Sequence, residues 1–320
     1  MTGTTRYLLL LVLVFFSACA TIRNCPIETL QPAKITFEKS GKSIAICAPQ
    51  TLLSDAVMSN DGAVSVPADS LIANILFSLQ HAWKETPGYE DTEFYTYIIK
   101  SDELPGASNF DMVVRLDKLQ VKNTYYGQEY SYFEWEAYLH VQYVAKWSIR
   151  NKSGALIDDF TARDLIIWPS GIRSGKSDAV MSLPDIKNAW WDMGIEMAQN
   201  YATRITPHWR TEVREIYMIN KYPELSQKAH TAMQNDGFAR AFDIWENMLL
   251  SCRKSGQKRV KSQITHNMAV AYEFQNQLDQ ALYWIQRSAN ISQKNRTVDY
   301  LNLLRERKQQ QLQLDQQTAP

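Results

Sequence analysis

Residues 132–168, "YFEWEAYLHVQYVAKWSIRNKSGALIDDFTARDLIIW", decide the fold. Phe133, Trp135, Ala137, Leu139, Val141, Tyr143, Ala145, Trp147 and Ile149 recur at every second position. Glu134, Glu136, His140, Gln142 and Lys146 take positions between them. A period of two over this length is a strand with one face in a core and the other in water. Asn151 to Gly154 ("NKSG") carries turn chemistry, and Ala155 to Trp168 returns as the partner strand. The segment therefore reads as a long antiparallel hairpin. Its register is fixed, because a slip of one residue would turn the whole apolar row outward.

Working upstream, "FDMVVRLDKLQVKNTYY" (110–126) alternates at Met112, Val114 and Leu116, then resumes at Leu119 and Val121. The change of phase predicts a shift of register. "EFYTYIIK" (93–100) is a β-branched and aromatic run, and "KITFEKSGKSIAICAP" (34–49) reads as a short strand, a Gly41 turn and an apolar strand from Ile44 to Cys47. Between them, "DSLIANILFSLQHAW" (69–83) places Leu71, Ile72, Ile75, Leu76, Leu79 and Trp83 at helical spacing, with Asp69 or Ser70 as the cap. Downstream, Ile186, Trp190, Met193, Met197, Tyr201 and Ile205 form a second helical stripe, capped by Ser182 and ended by Pro207. The order strand, helix, strands, long hairpin, helix predicts an α+β or α/β sandwich over 33–217, an antiparallel-rich sheet with packed helices.

Residues 218–308 are helical throughout and weakly repetitive. "NMAVAYEFQNQLDQALYWIQRSA" (267–289) sets Ala269 and Ala281 twelve apart, with Tyr272 three after the first and Leu278 near the turn. Upstream, Ala229, Ala232, Gly237, Ala241 and Trp245 fall at corresponding places, forty residues earlier at Ala241 and Ala281. The surplus over thirty-four sits in "SCRKSGQKRVK" (251–261), and Val298 to Lys308 would be a capping helix. This pattern resembles tetratricopeptide repeats, so an all-α tetratricopeptide-like domain is expected after the sandwich. Stacked helix pairs present a concave face suited to a peptide or partner helix. Gln234, Asn267, Val270 and Tyr272 are the candidate groove residues. Residues 309–320 read as a polar, disordered tail.

The N-terminus sets the address. Arg6 precedes Leu8 to Phe16, nine unbroken apolar residues, whereas a spanning helix needs about 20. That length matches a signal-peptide core. Phe16-Ser17-Ala18-Cys19 resembles the lipobox of bacterial lipoproteins, departing from it at Phe16, where Leu is usual. The resemblance implies removal of residues 1–18 and acylation, palmitate included, of Cys19. Residues 19–32, with two prolines, read as a tether. Several acyl chains anchor stably, at about 0.8 kcal/mol per buried methylene.

Taken together, Cys19, "SIAICAP", the "AWWDMGIEMAQNYATRITPHW" helix and the repeats resemble an uncharacterised family of Bacteroidota lipoproteins with an N-terminal α/β domain and C-terminal tetratricopeptide-like repeats. Residues 33–217 also loosely resemble envelope lipoproteins of the curli-secretion and penicillin-binding-protein-activator type. These resemblances imply architecture and a cell-envelope location, lipid-anchored at the outer membrane and facing the periplasm, and no activity.

No catalytic signature stands out. Lys+Arg and Asp+Glu both total 34, so nothing in the global charge argues for nucleic acid. "WPSGIRSGKS" (168–177) ends like a phosphate-binding loop, but Gly171 and Gly175 are separated by three residues rather than four. No nucleotide is expected, and a flexible basic loop is the simpler reading. The five histidines show no metal spacing, so neither metal nor cofactor is predicted. Asp158 and Asp159 are alternate-facing on a strand. Cys25, Cys47 and Cys252 leave an odd number of thiols, and sequence does not choose a pair. Arg253, Lys254, Lys258, Arg259 and Lys261 form a basic stretch that suits solvent, anionic lipid or an acidic partner. The chain therefore reads as a non-enzymatic, lipid-anchored binding or scaffold module whose repeats capture an envelope protein. The alternative is an envelope enzyme or regulator of envelope assembly whose site in the sandwich gathers His140, Glu136 or Asp164.

Overall fold

The computed structural model describes residues 21–36, 43–50, 52, 68–86, 88–89, 91–99, 109–252 and 257–318. Cys19 and Gly41 lie outside them. The chain order is β1 (Thr21–Gln31), β2 (Ser43–Pro49), α1 (Ala68–Lys84), β3 (Glu93–Ile99), β4 (Met112–Ser131), β5 (Glu134–Asn151), β6 (Leu156–Pro169), α2 (Lys176–Met181), α3 (Ile186–Ile205), β7 (His208–Met218), α4 (Pro223–Gln234), α5 (Phe238–Ser251), α6 (Lys258–Phe274), α7 (Leu278–Ile291) and α8 (Asn295–Thr318). An α/β region with a five-stranded sheet is thus followed by an all-helical stretch, α4 to α8. These elements form two compact units. Pro32–His208 and the chain from Leu314 onward make the sheet unit; the strand Thr21–Gln31 and Trp209–Gln313 make the helical unit.

In the sheet unit the strand order is β3-β2-β4-β5-β6. β2 is parallel to both β3 and β4, and the remaining pairs are antiparallel. The expected phase change is present as a register shift between Leu116 and Lys118. Asn151 Oδ1 accepts from the Ala155 amide at 2.9 Å, and Gly154 takes φ +80°, closing the β5–β6 turn. One face of the sheet carries Ile44, Ile46, Val114, Leu116, Leu139, Val141, Ala145 and Trp147 into a core shared with both predicted helical stripes. Leu71, Ile72, Ile75, Leu76, Leu79 and Trp83 of α1 are each no more than 1% exposed. Gly194 lets α3 close on α1, since a Cβ there would stand 3.0 Å from Ile75 Cγ1 and 3.3 Å from Leu71 Cδ1. Trp147 stacks on Tyr201 with centroids 4.6 Å apart. The cap of α3 is Asp185, not Ser182, which ends α2 instead. Phe133, expected on the core face, is 70% exposed at the β4–β5 turn.

The helical unit repeats. α4–α5 and α6–α7 are joined by turns of identical design forty residues apart. The amides of Gly237 and Gln277 donate to the carbonyls of Ala232 and Tyr272 at 2.8 and 2.9 Å. Asp236 and Asn276 both sit at φ +56°, the left-handed conformation that ends helices and that Asx residues tolerate. Ala229, Ala241, Ala269 and Ala281 are fully buried, which allows the close helix approach read from sequence.

Two boundaries differ from expectation. Residues 19–32 were expected to be a tether, but Thr21–Gln31 is strand β1, paired with β7. Residues 309–320 were expected to be disordered, but α8 continues to Thr318. There Gln317 Oε1 accepts from the Ala33 amide at 2.9 Å while its Nε2 donates to the Ala33 carbonyl at 3.0 Å. A glutamine-rich helix has no apolar stripe to announce it, and this pairing fixes it by backbone recognition instead.

Candidate functional site

The repeat groove comes first. Gln234 is exposed at the end of α4, and Tyr272 is half-buried against Phe242 with ring centroids 4.3 Å apart. Asn267 and Val270 are buried, at 1% and 0% exposure. Asn267 Oδ1 accepts from the Tyr217 amide and its Nδ2 donates to the Tyr217 carbonyl, both at 2.8 Å. Its carboxamide thus treats β7 as a neighbouring strand would. Ser226 Oγ accepts from the Ile219 amide at 2.8 Å, and His266 Nε2 lies 3.2 Å from the Glu215 carbonyl. The helix face assigned to a partner is occupied by the chain's own strand, so Asn267 and Val270 are packing residues. Hydrophobic alternation could not reveal β1 because its buried positions are Cys25, Ile27, Thr29 and Gln31, only one of them strongly apolar, and the exposed Pro26 interrupts the run.

Charge is handled internally at this junction. Arg214 is bidentate to Glu273, Nε to Oε2 at 2.7 Å and Nη2 to Oε1 at 2.8 Å, and Tyr300 donates to Glu273 Oε2 at 2.7 Å. Arg307 Nη1 donates to the Leu30 carbonyl at 3.1 Å. Burial dominates at His266 and pulls its imidazolium down to about 4, so the ring is neutral at physiological pH. The Glu273 carboxylate is thus engaged by Arg214 and Tyr300, with Arg307 Nε 3.8 Å away.

The second surface is the sheet face that faces away from α1 and α3. Register aligns Thr124, His140 and Ile167 across β4, β5 and β6, and Tyr126 and Tyr138 lie one step along. Tyr126 packs on His140 with centroids 4.4 Å apart. Toward the hairpin tip, Tyr130 donates to Glu136 Oε2 at 2.8 Å and Tyr138 donates to the same oxygen. The two phenols hold the Glu136 carboxyl below its ordinary range, and Glu136 in turn raises the Tyr138 phenol. Glu136 is therefore a persistent anion and acceptor, not a proton donor near neutrality. Around it are exposed apolar groups: Tyr126 at 54%, Tyr132 at 85% and Phe133 at 70%, with Ile167 at 46%. Soluble surfaces rarely gather this much aromatic area in one place.

Of the alternative grouping, Asp164 stands apart. Glu136 and His140 share this face, but Asp164 pairs opposite Tyr143 on the helix-bearing face. Alternation explains the separation, since Asp164 is one residue out of phase with Ile167 and Leu165. Asp158 and Asp159 separate as expected: Asp158 takes Arg204 at 2.7 Å, and Asp159 takes Lys146 at 3.2 Å. Residues 168–177 are not a free loop. Ser170 Oγ accepts from the Ala137 amide at 2.9 Å, and Arg173 bridges the Trp135 backbone in both directions. Cys25, Cys47 and Cys252 are buried free thiols. Among the described residues no group of three or more His, Cys, Asp and Glu is placed to hold a metal, and no helix is long and apolar enough to cross a membrane. Arg253 and Lys254 lie outside the described residues.

Residues 100–217 match a domain of unknown function, DUF8603, and residues 227–306 match another, DUF6340. A search of curated proteins finds no match. Among solved structures, the chain is similar to a hemagglutinin homolog from Helicobacter pylori at 11% identity and a TM-score of 0.33, covering 53% of this chain and 94% of that one. A minor lipoprotein from Acinetobacter baumannii has 9% identity and a TM-score of 0.25, covering 52% and 98%. A hypothetical protein from Chlamydia trachomatis has 8% identity and a TM-score of 0.23, covering 51% and 98%.

Proposed function

We propose that the protein is a lipid-anchored, non-enzymatic binding module of the cell envelope, acylated at Cys19. The contact surface for a protein partner is the uncovered aromatic face near the β4–β5 tip, in place of the groove first assigned to the repeats. The lipobox-like Phe16-Ser17-Ala18-Cys19 and the resemblance to Bacteroidota lipoproteins support the address. The observation that carries the contact surface is the cluster of exposed Tyr126, Tyr132 and Phe133 beside the Tyr130–Glu136–Tyr138 hydrogen-bond set. Tyrosines supply large, stiff contact area with a polar end, the composition that interface anchors favour.

A photo-crosslinker at Tyr132, used in cells, should capture a discrete envelope protein identified by mass spectrometry. The combined Tyr126→Ser, Tyr132→Ser and Phe133→Ser chain should lose it. Capture no greater than from a crosslinker at the exposed Gln227 of α4 would defeat the assignment. For the anchor, Cys19→Ala should release the protein from the membrane fraction.

A further inference from the structure

The helical unit is asymmetric in charge along its length, and the lipid attachment point is covalently fixed to one end. β1 begins at Thr21, two residues after Cys19. Two residues span at most about 7 Å, so an acylated Cys19 holds the start of β1 at the bilayer. Which end of the unit this is follows from the pairing. Glu28 meets Thr211 and Thr29 meets Arg210, so β1 runs back along β7 and Thr21 lies toward the Met218 end. At that end Tyr217 is pinned to Asn267 of α6, while Glu273, further along α6, holds Arg214, earlier in β7, so α6 begins beyond Met218, and Arg296 in the first turn of α8 pairs with Glu215. The first turns of α6 and α8 therefore flank the close of β7. Lys221 follows, its Nζ 5.1 Å from the Tyr222 ring centroid, and the Tyr222 hydroxyl reaches Cys252 at the end of α5, 3.9 Å away.

We infer that this end of the helical unit, with Arg23, Lys221, Lys258, Arg259, Lys261 and Arg296, is a basic platform that docks on an anionic bilayer beside the lipid anchor. The inference rests on acylation of Cys19 for its orientation, but the platform's charge is a property of the folded chain. Arg23, Lys221, Lys258 and Arg259 are exposed. Among the described residues the acids set against them are Glu224, Asp299 and Glu215, and Glu215 already pairs with Arg296 at 3.5 Å. Among these described residues cations exceed acids by six to three. A cation near an anionic surface contributes about 1 kcal/mol, so the platform adds orientation to an anchor that lacks it. The acyl chains fix where the protein is; the cations fix which end faces the lipid.

The test uses the chain from residue 19 onward with Cys19→Ser, so that no acyl group contributes. It should cosediment with phosphatidylcholine vesicles containing phosphatidylglycerol, not with phosphatidylcholine alone, and salt should release it. Lys221→Gln, Lys258→Gln and Arg259→Gln together should lower partitioning on the order of 100-fold, at about 1 kcal/mol per charge. Arg305→Gln with Lys308→Gln, at the other end of the unit, should leave it unchanged. Equal loss from both sets, or no preference for the anionic vesicles, overturns the platform. Mass spectrometry of the N-terminal peptide from cells reads acylation independently. An unmodified Cys19 with intact vesicle binding would remove the anchor alone; an acylated Cys19 with no vesicle binding would remove the platform alone.

Discussion

Glu273 is the residue on which the helical unit depends most. Its side chain is fully buried and faces Arg214, itself 4% exposed, with Tyr300 on the same carboxylate. Removing one partner from a buried pair leaves an uncompensated charge and costs about 3 kcal/mol or more. Glu273→Gln should lower the denaturation free energy by that amount. The paired change Arg214→Met with Glu273→Leu should recover only part of it, because Tyr300 and Arg307 also lose the carboxylate. His266 gives the unit a pH dependence whose sign is fixed. Its folded-state pKa of about 4 lies below the ordinary 6.5. Above pH 6.5 neither state binds the proton. As pH falls from 6.5 toward 4 the unfolded state binds it first, so stability is lost across that window and levels off below it. The loss at pH 4.5 should be about 2 kcal/mol. His266→Asn should remove that increment in denaturation measured at pH 7 and 4.5, leaving the share due to carboxylates.

Among the elements, the two repeat turns and the α1–α3 crossing make opposite demands. Asn276 at φ +56° occupies a conformation that costs an ordinary L-residue about 1–2 kcal/mol. Asn276→Val should therefore destabilise by that much, while Asn276→Gly should be close to neutral. Gly194 is needed for space, not φ: a valine there would drive into Ile75 and Leu71, and overpacking of this kind costs about 1–3 kcal/mol. Thermal unfolding of Gly194→Val should show it. These elements also show what sequence could convey. The stripes Leu71–Trp83 and Ile186–Ile205 and the β5 row were legible because large apolar groups recur at one period, and the Leu116–Leu119 phase change betrayed the bulge. The repeat was legible through its small residues. Strand β1 was not, because Cys25, Thr29 and Gln31 bury polar atoms through partners that only the fold brings near. The exposed aromatic face was equally hidden. The sequence holds Tyr126, Tyr130 and Tyr138 at no telling period; register sets Tyr126 opposite Tyr138, and only the shared Glu136 carboxylate brings Tyr130 beside them.

For the molecule as a whole, the division into units does not follow chain order. The chain leaves the helical unit after Gln31, returns at Trp209 and leaves again after Gln313. A tether over 19–32 would be dispensable to folding; a strand completing the helical unit would not. Deletion of residues 21–31 distinguishes the two. Without β1, Arg307 loses the Leu30 carbonyl and His230 loses Cys25, whose Sγ lies 3.6 Å from its Nε2, and β7 becomes an unpaired edge. Amide exchange should show lost protection in β7, α4 and α8, while β4, β5 and β6 keep theirs because their ladder and core involve neither strand. Unchanged exchange in the helices would restore the tether. Accelerated exchange would mean that the peptide following Cys19 is structural, so the proposed attachment point leads directly into a segment on which folding of the helical unit depends.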